Sequence, residues 1–113
     1  PADLYALAVR RPNLKIVAAH MGGLLGLYSI YPPLAREIQN VWFDTAVSAT
    51  LAMIKWYVEA GLSHKIIFGT DFPFNHSHSQ EQVVEGIQQL NLDLSTLEAI
   101  FKNNFIDFYC VWE

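Results

Sequence analysis

The chain has 113 residues, a formal net charge of −4 and a hydrophobic fraction of 52%. This length suits one globular domain and the composition excludes a disordered chain, while the scattered Lys and Arg residues form no basic face for nucleic acid. No apolar run reaches the roughly 20 residues that span a bilayer, so no membrane is expected. The single cysteine, Cys110, excludes an intrachain disulfide and favours a cytoplasmic location.

The first third of the chain predicts a helix, a buried strand and a glycine turn. Apolar residues at helical spacing predict a helix over residues 2–11, with Asp3 as its N-cap and Pro12 at its end. The apolar run over residues 15–20 then predicts a short strand that ends at His20.

The middle of the chain repeats this pattern. Helical segments are expected over residues 24–40, with a break at Pro32-Pro33, and a second apolar run over residues 40–45 predicts a strand that delivers Asp44. A helix over residues 51–60 follows, with Thr50 or Ser48 as its N-cap.

Residues 65–74 are the most informative stretch. A nearly continuous Ile and Phe run that Pro73 interrupts predicts a strand buried on both faces, with Asp71 at its exit. Two capping boxes then predict helices to Leu90 and through Lys102, and the apolar tail over residues 105–112 is expected to dock. The boxes pair Ser79 with Gln82 and Ser95 with Glu98.

These elements predict an α/β fold of three parallel βα units. Because parallel strands end at one edge of a sheet, His20, Asp44 and Asp71 are expected at the same edge, where α/β folds build their sites. Asp71 is a candidate metal ligand or general base, against the alternative of a carboxylate that caps loop amides. His20 is a candidate functional group or a hydrogen-bonded structural residue, and Asp44 lines the pocket or caps a turn.

The other histidines and the possible nucleophiles favour no second site. The pair His76 and His78 lies in a Ser-rich stretch, which indicates a solvated loop, and His64 is expected near a helix C-terminus at the opposite edge. No serine stands in a nucleophile-elbow pattern and the one cysteine lies in the apolar tail, so covalent catalysis has no support.

Three ordered motifs carry a family resemblance, and they lie at residues 12–23, 40–46 and 67–74. Together they resemble the C-terminal part of the amidohydrolase-related, metal-dependent TIM-barrel hydrolases that include aminocarboxymuconate semialdehyde decarboxylase. The resemblance implies a (β/α)8 barrel with one divalent metal, usually zinc, in which Asp71 matches the ligand on the eighth strand. His20 matches the histidine after the sixth strand, which contacts the metal-bound water or the substrate. Asn104 resembles the Asn of the closing helix.

The resemblance also implies what the chain lacks. The first-strand His-x-His and the fifth-strand His of the family have no counterpart here, so residues 1–113 are expected to form a single partial domain. This domain would be an incomplete barrel of strands six to eight with the closing helices.

The function expected from this resemblance is that of a fragment of a metal-dependent enzyme. The enzyme would hydrolyse, or decarboxylate without oxidation, a small carboxylated or cyclic substrate through a metal-bound water. One alternative is a catalytically incompetent fragment that associates into a homo-oligomer through its exposed sheet edge. Another is a small phosphate-binding α/β domain that uses Gly22-Gly23 at a helix N-terminus.

Overall fold

The computed structural model describes residues 1–46, 51–74 and 80–110. Within these ranges the chain alternates short strands with helices. In chain order the helices and strands are α1 (Ala2–Arg10), β1 (Ile16–Ala18), α2 (Leu24–Tyr28), α3 (Pro32–Glu37), β2 (Val41–Asp44), α4 (Leu51–Glu59), β3 (Ile66–Ile67), α5 (Gln80–Gln88), α6 (Leu94–Glu98) and α7 (Asn104–Cys110). Short 3-10 helices at His20–Gly22 and Ser63–Lys65 follow β1 and precede β3, and a π-helical turn at Ala99–Asn103 joins α6 to α7.

The three strands form one parallel sheet in the order β1-β2-β3. The register aligns Ala18 with Phe43, and Phe43 in turn with Ile66. Each strand therefore pairs with the next one along the chain, and helices occupy the gaps between them. The prediction of an α/β fold with three parallel strands is confirmed.

One face of the sheet packs into the core. The side chains of Val41, Phe43 and Ile66 are almost completely buried there, against Ile54 of α4 and Ile100 of the π-helical turn. Full burial of one such side chain contributes about 1.5–3 kcal/mol to the free energy of folding. Burial of this face therefore fixes the sheet against the helices and so positions the edge at which the strands end.

The opposite face of the sheet is partly covered by the C-terminal helix. The ring of Phe108 in α7 meets Trp42 edge to face at 5.1 Å between centroids, while Val17 on the same face is 41% exposed. Lys15 ties this arrangement to the start of β1, because its Nζ donates to the carbonyl oxygen of Phe108 at 2.8 Å. The expectation that the apolar tail docks is confirmed for Phe108, and residues 111–113 lie outside the described residues.

The third strand is much shorter than the sequence predicts. Only Ile66 and Ile67 pair with β2, so the expected strand over residues 65–74 is wrong beyond Ile67. The backbone N–H of Phe68 turns instead to the carbonyl oxygen of Ile100 at 3.1 Å. Ile66 and Ile67 are buried as expected, and the partly buried ring of Phe68 packs against Phe101 of the π-helical turn at 5.0 Å between centroids. Phe72 and Phe74 are 70% and 75% exposed, so the expected burial of the whole run is wrong.

Two predicted helix caps are also wrong. The N-cap of α6 is Asp93, whose Oδ1 accepts from the backbone N–H of Thr96 at 2.7 Å and from the hydroxyl of Ser95 at 2.9 Å. An Asp outcompetes a Ser at this position because its charged oxygen makes the stronger bond to an unpaired amide. Asp3 lies in the first turn of α1 and makes no capping bond there.

The remaining predicted caps, Ser48, Thr50 and Ser79, lie outside the described residues. Among the helices that are described, none is both long and apolar enough to cross a bilayer.

Candidate functional site

The candidate site is the edge of the sheet at which the three strands end. Asp44 is the last residue of β2, and His20 lies two positions after the end of β1. Asp71 lies four positions after the end of β3, because that strand stops at Ile67. The parallel pairing therefore directs all three exits to one edge, as the sequence predicts.

Asp44 connects the first two exits. Its Oδ1 accepts from the backbone N–H of His20 at 2.7 Å and from that of Ala46 at 3.1 Å. Both are bonds from amides to a carboxylate, which are stronger than bonds between neutral groups. Of the two interpretations of Asp44 that the sequence left open, these contacts favour the turn-capping group.

Thr45 connects the second exit to the third. Its hydroxyl is 3.0 Å from both the backbone N and the carbonyl O of Gly69, so it can accept from the first and donate to the second. Thr45 is 1% exposed and Gly69 is half-buried, so both bonds are partly shielded from water. Thr45 was not among the site residues predicted from the sequence. The available signal was a hydroxyl directly after a strand-ending carboxylate, a position that faces the next strand's exit.

The turn that carries His20 has an unusual backbone. His20, Met21, Gly22 and Gly23 have φ values of 56°, 53°, 66° and 58°, all in the left-handed region. Gly22 is required here, since a Cβ on it would lie 2.9 Å from Cε1 of Phe43. Met21 is completely buried and anchors the turn, while the side chain of His20 is exposed.

Asp71 also lies on a left-handed backbone, with φ of 61°. The loop around it closes through the backbone N–H of Phe74, which donates to the carbonyl oxygen of Asp71 at 2.7 Å. The residue is half-buried, and its carboxylate accepts no hydrogen bond from any of the described residues. Non-glycine residues in this region cost roughly 1–3 kcal/mol each and are concentrated at functional sites. Both candidates from the sequence, His20 and Asp71, carry this strain.

The described residues do not complete a metal site by themselves. In residues 1–46, 51–74 and 80–110 no group of three or more His, Cys, Asp or Glu side chains could hold a metal ion. An oxygen of Asp44 is occupied by two amides, and the structure gives no contact between His20 and Asp71. His76 and His78 lie outside the described residues. This part of the chain can offer single ligands to a metal but no complete set.

The opposite edge of the sheet is held by a different residue. Asn104, 4% exposed, donates through Nδ2 to the carbonyl oxygens of Ser63 at 2.8 Å and Ile66 at 2.7 Å. These bonds fix α7 against the start of β3. The sequence identified Asn104 by resemblance alone, and the structure gives its physical role.

The interpretation of Gly22-Gly23 as a phosphate loop has little structural support. The helix after it, α2, spans only five residues, and its first turn has no basic side chain that could bind an anion. The glycines serve the turn itself.

A comparison with known proteins shows the family to which the chain belongs. The sequence model of the amidohydrolase family matches residues 1–110, which is nearly the whole chain. The search of curated proteins found no match to this chain. Because this match extends over nearly the whole chain, the chain belongs to the amidohydrolase family, and the parallel sheet is consistent with this.

Proposed function

We propose that the chain is part of a metal-dependent enzyme that acts on a small carboxylated or cyclic substrate, either by hydrolysis or by non-oxidative decarboxylation. The observation that carries this proposal is membership of the amidohydrolase family over residues 1–110, because that family is typically metal-dependent. The position of His20 and Asp71 supports it. Both follow strands at the carboxyl edge of a parallel sheet, where α/β enzymes place their reacting groups.

In this proposal the sheet is the last part of a (β/α)8 barrel, with β1, β2 and β3 as its strands six to eight. Support comes from the strand order, since consecutive strands of such a barrel are neighbours and parallel. A complete barrel takes about 250 residues. Three strands therefore account for only part of the wall that would enclose a substrate.

Asp71 is the proposed metal ligand. Its carboxylate makes no bond to the described residues, and its backbone is held by the turn to Phe74 and by the clamp of Thr45 on Gly69. The other ligands would lie outside the described residues, because no complete set lies within them. A divalent metal, zinc in the first place, would supply positive charge that lowers the pKa of a bound water.

His20 is the proposed proton-transfer group. Its backbone is fixed by the bond from its N–H to Asp44, and its exposed imidazole makes no hydrogen bond or ion pair with the described residues. An imidazole changes charge near neutral pH, so it can hold or deliver a proton at one ring nitrogen without covalent chemistry. In this role His20 orients the water or stabilises charge that develops on the substrate.

The alternative function is a catalytically incompetent barrel fragment that acts through association with other chains, such as copies of itself. One observation favours it. Among the described residues β1 pairs only with β2, and its central residue Val17 is 41% exposed. Unpaired strand edges with apolar side chains readily pair with another chain.

Metal analysis separates the two functions. We would measure metal content by mass spectrometry in this chain and in a form extended upstream to include a His-x-His strand. The enzyme proposal predicts stoichiometric metal in the extended form and its loss in Asp71→Asn. Asp107→Asn, on an exposed position of α7, is the matched control and should keep the metal.

Two outcomes would contradict the enzyme proposal. Metal retained in Asp71→Asn would remove Asp71 from the ligand set. The absence of metal from both forms, together with a sedimentation mass above that of one chain, would favour the associating fragment instead.

A further inference from the structure

A second concave surface lies at the opposite edge of the sheet, where the strands begin. It is a cavity of about 310 Å³ between the end of α3 and the 3-10 helix before β3. Six residues line it: Ala35, Arg36, Gln39, Leu62, His64 and Lys65. None of these residues belongs to the candidate active site at the other edge of the sheet.

The lining of this cavity is cationic. Arg36, His64 and Lys65 can all carry positive charge, and no Asp or Glu is among the lining residues. The acid next to Arg36 in sequence, Glu37, is engaged elsewhere, because its carboxylate accepts from the hydroxyl of Tyr5 on α1. The chain as a whole carries a formal charge of −4, so this concentration of cations is local.

Lys65 is held in place at the cavity wall. Its ammonium donates to the carbonyl oxygen of Gln39 and lies 3.8 Å from the ring centroid of Trp42. A second cation, Lys15, lies 5.7 Å from the centroid of the same ring. The two lysines therefore approach the Trp42 ring of the central strand β2 from the starts of the two outer strands, β1 and β3. Among the described residues, no carboxylate bonds to either of them.

The protonation equilibria are consistent with uncompensated positive charge. Burial and the nearby charge of Lys15 lower the pKa of Lys65 to about 8. Burial and the charge of Lys65 also lower the pKa of His64, against a smaller opposing effect of a hydrogen bond with the Gly61 backbone. An anion placed between these groups would favour their charged forms.

Arg36 is the group best able to meet an incoming anion. Its side chain is exposed and makes no hydrogen bond or ion pair with the described residues. A guanidinium binds phosphate through two parallel N–H bonds, and an ammonium nearby adds a point charge. We propose that Arg36, His64 and Lys65 form a binding site for a small phosphate-bearing ligand at the edge where the strands begin. This inference does not depend on the proposed enzymatic function.

The test is a titration of the chain with inorganic phosphate at constant ionic strength, read by the NMR signal of the His64 ring. The signal is assigned by its absence in His64→Asn. Phosphate should raise the pKa of His64 by roughly half a unit in a saturable way, because the bound anion favours the imidazolium. Acetate at the same ionic strength should bind more weakly, since it offers fewer oxygens and less charge.

Variants give the control. Arg36→Gln should weaken phosphate binding about tenfold, as expected for the loss of a charged hydrogen-bonded pair. It should leave the fold intact because Arg36 is exposed. Lys55→Gln, on an exposed position of α4, should leave the affinity unchanged. Equal responses to phosphate, acetate and chloride, or an unchanged affinity in Arg36→Gln, would overturn the proposal.

Discussion

The backbone N–H of His20 donates to Oδ1 of Asp44 at 2.7 Å and joins the exit of the first strand to the end of the second. The same oxygen accepts from Ala46 at 3.1 Å, and the hydroxyl of the intervening Thr45 reaches Gly69 after the third strand. These hydrogen bonds thus link the segments that follow the three strands, and they hold this edge of the sheet together. The positions of His20 and Asp71 depend on this linkage rather than on the strands alone.

Asp44→Ala should destabilise the fold by about 1–3 kcal/mol, because two amides lose a charged acceptor. Asp44→Asn keeps one oxygen and should cost less. Urea denaturation measures the difference, with Asp107→Ala at an exposed position of α7 as the control. A loss no larger than that of the control would mean that water replaces the carboxylate without cost.

Thr45→Val should destabilise the chain by about 1–3 kcal/mol while leaving the packed volume nearly unchanged, because it removes both bonds to Gly69 and leaves those backbone groups without a partner. Thr45→Ser retains the hydroxyl and should recover most of the loss. Urea denaturation of the wild-type chain, Thr45→Val and Thr45→Ser measures these differences. An equal loss in Ser and Val would indicate that the methyl group, not the hydroxyl, matters.

Asn104→Ala should cost about 2–5 kcal/mol, since it combines two lost hydrogen bonds from a buried amide with a cavity. The adjacent Asn103 is exposed, so Asn103→Ala is a matched control within the same turn of helix. Thermal unfolding compares the two. Similar melting temperatures would contradict the role of Asn104 in holding α7 to the start of β3.

The stability of the chain should rise between about pH 8 and pH 10. The pKa of Lys65 is about 8 in the folded chain, below the ordinary lysine value of 10.5 that applies in the unfolded chain. The unfolded chain therefore binds more protons in this window, and stability rises with pH. Above about pH 10 the effect of Tyr57 opposes it, because burial raises the pKa of that phenol to about 12.

The measurement is urea denaturation across this window in a phosphate-free buffer. Lys65→Met should remove the rise, and Lys55→Met, at an exposed position of α4, should keep it. A rise of the same size in Lys65→Met would assign the dependence to another group.

Periodicity and breakers were enough to predict most of the architecture from the sequence. The strand ending at Asp44 was predicted within one residue of its observed start and end, and the parallel βα order was correct. These features are local, or follow from hydrophobic runs of sufficient length. Caps were less predictable: α6 begins at Asp93 rather than Ser95, because two neighbouring polar side chains compete for the same amides.

By itself the sequence determined that three strands run in parallel and that His20, Asp44 and Asp71 lie at or beyond their C-terminal ends. Only the tertiary structure decided how these exits are connected. It ended β3 at Ile67 because Phe68 pairs with Ile100, a residue 32 positions away along the chain. It also placed the carboxylate of Asp44 on the backbone N–H of His20, 24 positions away along the chain, and put Arg36 and Lys65 on the wall of one cavity. These residues are distant in sequence, and only the packed arrangement of helices and strands brings them together.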